Sequence, residues 1–133
     1  MDTKEQESGF KVEAHGSYIH LETWGALHEE SLDAPAKAAL ELREKSGIDK
    51  LLDNIQRVDG AGININMQAK GVGVLWSLRK FKKVAIVFKG DEMGWMFLST
   101  LEAMHLNLNN KFKGFNNESD AISWLQEESE PTV

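Results

Sequence analysis

The 133-residue chain contains no cysteine, which excludes disulfides and thiolate metal sites and fits a reducing compartment. No apolar run approaches the ~18 residues that a membrane-spanning helix requires. The opening MDTKEQESG is polar and acidic, the opposite of a secretory leader. These features predict a cytoplasmic protein that is not an integral membrane protein. No linker, repeat or low-complexity tract divides the chain, so one domain over 1–133 is expected, with frayed ends at 1–8 and 128–133. A chain of this length buries roughly two-thirds of its unfolded surface, enough for a core without staples.

Acids are missing from one stretch. Residues 60–90 carry six bases and no acid, against thirteen acids and seven bases in 1–59 and eight and two in 91–133, for a net charge of −6. A basic segment on an acidic protein suits phosphate, nucleic acid or an acidic partner. Aromatic interleaving is absent, which argues against nucleic-acid stacking. The plainer reading is a solvated helix end whose Arg and Lys complement the helix dipole.

Serine and threonine are missing from VDGAGININMQAKGVG, residues 58–73. Its glycines, Gly60, Gly62, Gly71 and Gly73, fit neither a GxGxxG nor a GxxxxGK[ST] spacing. The stretch therefore mostly turns the chain, although amides at the start of the following helix suit an anion. The four histidines show no H-x3-H or HExxH pairing, and no serine sits on a nucleophile elbow. No catalytic residue, metal or cofactor is predicted.

Alternation over 10–15 and 18–24, broken by Gly16-Ser17, predicts a β-hairpin. Residues 28–47 read as a helix, with Leu32, Ala36, Ala39 and Leu40 on one stripe, a restart at Pro35 and a cap at Gly47. Residues 49–55 form the third strand. A second helix follows over 66–81, with Met67, Gly71, Val74, Leu75 and Leu78 facing inward. The apolar run at 83–88 is a central strand buried on both faces. A third helix over 91–105, an edge strand over 110–115 and a helix capped by Asn117 complete the chain. The order ββαβαβαβα predicts an α/β fold: a five-stranded, mostly parallel mixed sheet with an N-terminal hairpin and about four helices.

Several landmarks sit on that order: Gly25-Ala26-Leu27, Pro35, Leu51-Leu52-Asp53, Val84-Ala85-Ile86-Val87, and Phe115 followed by Ala121, Trp124 and Leu125. From Phe10 to Gln126 the chain resembles the SpoIIAA-like branch of the STAS-fold proteins, related to the anti-sigma-factor antagonists. The resemblance implies a non-enzymatic binding or regulatory domain with a protein partner or self-association. In the antagonists a serine in a D-S-x-G motif after the third strand is phosphorylated by a partner kinase. The nearest match here, Asp59-Gly60-Ala61-Gly62, lacks the hydroxyl, and Ser77 lies within the second helix, so the serine switch does not carry over. The fold is also similar to the lipid-binding CRAL-TRIO domains.

Two groups of side chains are candidates for a functional surface. Asp53 and Asp91, with Lys89 between them in sequence, fall at or beyond strand ends, where open α/β sheets bind ligands. The alternative is that Asp91 caps a helix and Asp53 bonds loop amides. In the helix over 91–105, Trp95 lies on the polar side, with Met93 and Met96 as an adaptable apolar rim. Trp76 similarly lies off the core stripe of the second helix. An exposed Trp marks a partner surface or folds back over its neighbours. A second functional reading is a small-molecule or lipid-binding protein, with an apolar pocket near the second and third helices lined by Met67, Leu75, Met96 and Phe97.

Overall fold

A computed structural model describes residues 8–59, 65–89, 99 and 111–127. Strands β1 (Gly9–His15) and β2 (Tyr18–Ala26) form the hairpin, paired antiparallel from Gly9 opposite Trp24 to His15 opposite Tyr18. Gly16 occupies the turn at φ 71°, a conformation that glycine adopts at no steric cost. Strands β3 (Lys50–Asp59), β4 (Lys83–Val87) and β5 (Phe112–Phe115) follow in parallel, giving a five-stranded mixed sheet in the order β1-β2-β3-β4-β5. The expected fold is observed, with its one antiparallel pair at the hairpin.

Three α-helices are described: α1 (Ala34–Ser46), α2 (Ile65–Ser77) and α3 (Glu118–Gln126). A 3-10 turn at Glu29–Ser31 precedes α1, and Pro35 stands in the first turn of α1, where its missing N–H costs nothing. Gly47 ends α1 at φ 79° and donates its amide to the Arg43 carbonyl at 2.9 Å. The second helix ends at Ser77, and a 3-10 turn covers Leu78–Lys80, so the last predicted turn is tighter than α-helical. Asn117 caps α3 as expected, its Oδ1 accepting from the Asp120 amide at 2.8 Å. The predicted third helix, 91–105, lies outside the described residues.

The sheet is buried on both faces. One face presents Ile19, Leu21, Leu51, Val84, Ile86 and Phe112 to α1 and α2, with Leu75, Leu78 and Phe81 closing the layer. The other presents Tyr18, Leu52, Ala85 and Val87 to Ala121 and Leu125 of α3. Val84, Ala85, Ile86 and Val87 are all buried, as a strand covered by helices on both sides requires.

Candidate functional site

β3 is longer than its apolar core suggests. It runs to Asp59, so Asp53 stands in mid-strand rather than at the strand end where the sequence places it. There it pairs with Leu21 of β2 and Ile86 of β4. Alternation puts it on the same face as Leu51 and Ile55, within the apolar layer that α1 and α2 cover. The layer does not close over it. α1 brings Ala34, Pro35 and Ala36 to this point and α2 brings Gly71, Val74 and Leu75, and between them lies a cavity of about 330 Å³.

Asp53 lies on the cavity floor beside Thr23, with Leu21 and Leu75 among the lining. What surface its side chain keeps faces the cavity, and burial alone pushes its carboxyl up from the usual 3.8 to about 7. No hydrogen-bond or ion-pair partner of the carboxyl occurs among the described residues, and the loop after β3, whose amides the sequence offers it, lies outside them. Exposed Ser8, Phe10, His28 and Ser31 stand at the rim. One wall is the indole of Trp24. It lies so close to β1 that a Cβ on Gly9 would come within 3.0 Å of its Cζ2, and the Arg57 guanidinium covers it at 5.4 Å. The sheet register shifts between Glu22 and Trp24, and such a bulge re-aims side chains along the strand.

This cavity lies beneath α1 and α2, and the third helix near which the sequence also expects a pocket falls outside the described residues. Leu75 lines the cavity; Met67, also buried, is not among its lining. Met96 and Phe97 lie outside the described residues, as do Met93, Trp95 and Asp91. Lys89 is exposed just beyond β4. The grouping of Asp53 with Lys89 and Asp91 therefore reduces, among the described residues, to Asp53 in its own apolar setting.

Trp76 is 46% exposed, off the core face as its position predicts. It is not isolated. Ile65 at 78% and Val72 at 45% are exposed on the same helix, together with Ala69. At about 100° per residue these four positions share an arc of roughly 60°, opposite the stripe of Met67, Val74, Leu75 and Leu78. The Arg79 guanidinium stacks on the Trp76 ring at 4.7 Å, and Lys80 and Lys82 are exposed beside it. Only Trp76 of this stripe stood out in the sequence, yet the spacing 65, 69, 72, 76 was there to be read.

A third cluster occupies the opposite sheet face at the start of α3. Glu118 Oε2 accepts from Asn54 Nδ2 at 2.5 Å and meets His20 Nε2 at 2.8 Å. Burial pushes the Glu118 carboxyl up, but its bonds to Asn54 and His20 together hold it below the usual carboxylate range. The His15 ring lies 5.3 Å from that of His20. This network ties β2, β3 and α3 together.

No protein-family model and no curated protein matches the sequence. Several solved structures are similar, among them two that cover nearly the whole chain. An anti-sigma factor antagonist from Mycobacterium paratuberculosis is 17% identical, with 92% of this chain and 97% of that chain covered and a TM-score of 0.61. An uncharacterised protein with a SpoIIAA-like fold from Shewanella loihica is 22% identical, with 94% and 98% covered and a TM-score of 0.56. The chain has a SpoIIAA-like fold.

Proposed function

We propose that this chain is a non-enzymatic binding domain of regulatory type that docks a partner protein on the outer face of α2. The observation that carries the reading is the exposed stripe of Ile65, Ala69, Val72 and Trp76 beside Arg79, Lys80 and Lys82. Apolar stripes at helical spacing dock amphipathic helices, and the basic end of α2, within a segment that holds no acid, suits a partner helix with acidic flanks. The structural likeness to an anti-sigma factor antagonist supports a protein partner. Trp95, Met93 and Met96 extend the proposed surface on sequence grounds alone. Control by a serine phosphate after β3 has no acceptor, because residues 58–66 lack any hydroxyl side chain. The hydroxyl of Ser77, at the end of α2, donates to the Val74 carbonyl at 2.6 Å instead.

Native mass spectrometry of protein isolated from its own host reads the mass and stoichiometry of what is bound. Trp76→Ala and Lys80→Glu should each release the partner while leaving the circular dichroism spectrum unchanged. A complex that survives both variants removes α2 from the interface. A bound mass equal to a second copy of the chain overturns the partner-protein reading in favour of self-association.

A further inference from the structure

We propose that the cavity beneath α1 and α2 binds a small molecule with an apolar body and one primary amine, and that Asp53 anchors the amine. The cavity is about 330 Å³, at the small end of the roughly 300–1,000 Å³ that ligand sites occupy. Leu21, Ile55, Val74 and Leu75 give it apolar walls. On its floor stands a half-buried carboxyl with no donor among the described residues, although polar groups withdrawn from water are mostly paired. The apolar surroundings of this half-buried carboxyl already disfavour its charge, so part of the desolvation cost of an ion pair is incurred before any ligand arrives. A ligand that brings an ammonium supplies three donors and the opposite charge in a setting of low dielectric, where such bonds are strongest. No Lys or Arg occurs among the described lining residues, so nothing there holds an anionic head group. This site lies on the inner side of α2, away from the exposed stripe, and stands or falls separately from the docking reading.

The pH dependence follows from the groups that face the site. Asp53 must be ionised to pair with an ammonium, and its carboxyl is pushed up to about 7. His28, from the segment after β2, is the other titratable side chain among the described lining and stands exposed at the rim. The lining residues of β1, α1 and α2 carry no charge. An alkylammonium stays charged across this range, as a lysine does. Ionisation of Asp53 therefore favours binding as pH rises from 5 to 8.

Calorimetric titration of the full chain with octylamine, 1-octanol and octanoate tests the assignment. At pH 8 octylamine should bind at least ten-fold more tightly than octanol and octanoate most weakly. Octylamine affinity should fall at least ten-fold between pH 8 and pH 5. Asp53→Asn should bring octylamine to the level of octanol. Gly71→Leu blocks the cavity from a helical position where a Cβ meets no atom within 4 Å, and should weaken both ligands ten-fold or more. Because leucine also favours the helix over glycine, this variant keeps the test available should Asp53→Asn fail to fold. Equal affinity for amine and alcohol, an amine preference that persists in Asp53→Asn, or no octylamine binding at millimolar concentration each overturns the proposal.

Discussion

Asp53 and Glu118 are carboxylates on opposite faces of one sheet, and their surroundings move them in opposite directions. Asp53 has burial without partners and is pushed up to about 7. Its ionisation therefore opposes folding: the stability it allows is complete below the unfolded value of 3.8 and is lost as pH rises to about 7. At about 1.4 kcal/mol per pH unit, the roughly three units between those values correspond to about 4 kcal/mol. Asp53→Asn should accordingly raise the unfolding free energy from urea titration at pH 8 by up to that amount and change it little at pH 4. Equal effects at both pH values would show that the carboxyl is already hydrated in the folded chain. Glu118 has partners that outweigh its burial and is held low. Its contribution is present above the usual 4.5 and is lost as pH falls through its lower folded value. Its side chain is 37% exposed, so solvent screens the gain, and Glu118→Gln should cost ~1 kcal/mol at pH 7. The cost should shrink toward pH 3, as read from thermal midpoints across pH.

The element that decides most is α2, because it is apolar on two sides. Its inner stripe builds the core and its outer stripe has no covering among the described residues. Substitutions on the two sides should separate stability from association. Phe81, fully buried after the 3-10 turn, should cost roughly 3–5 kcal/mol of folding stability as Phe81→Ala, through the cavity it leaves. Trp76→Ala removes a half-exposed ring and should change the unfolding midpoint little. A loss in Trp76→Ala as large as in Phe81→Ala would place Trp76 in the core. α3 depends instead on its start: Asn117 Oδ1 holds the Asp120 amide, and Asn117→Ala should cost ~1 kcal/mol, measurable by chemical denaturation at neutral pH.

Across the whole molecule, charge is divided by sequence position. The acid-free segment 60–90 ends in the basic residues beside Trp76, while the chain as a whole carries −6. Exposed charges are screened beyond about 10 Å at 0.1 M salt. Partner association through α2 should therefore weaken at least ten-fold between about 0.05 and 0.5 M salt, with the loss in the association rate, while folding stability holds. Surface plasmon resonance at several salt concentrations reads both quantities, and a salt-independent association rate would remove the basic end of α2 from the encounter.

The architecture was legible because it rests on local rules. Alternation around Gly16-Ser17 made the hairpin, Pro35 and Gly47 bounded α1, Asn117 started α3, and the run from Val84 to Val87 could only be a strand covered on both sides. The core stripe of α2 followed from helical spacing in the same way. The candidate site was not legible, because it is made by what distant segments leave unfilled. Asp53 stood out as a carboxylate among Leu51, Leu52 and Ile55, but the sequence placed it at a strand end with loop amides in reach. That β3 continues to Asp59, and that Ala34, Ala36 and Gly71 meet above Asp53 without filling the space, depends on packing between residues far apart in the chain. Short-range periodicity determined which elements form and which face each turns inward. The tertiary structure alone decided where α1 and α2 leave a cavity over the sheet, and so which carboxyl stands in an apolar setting with no partner among the described residues.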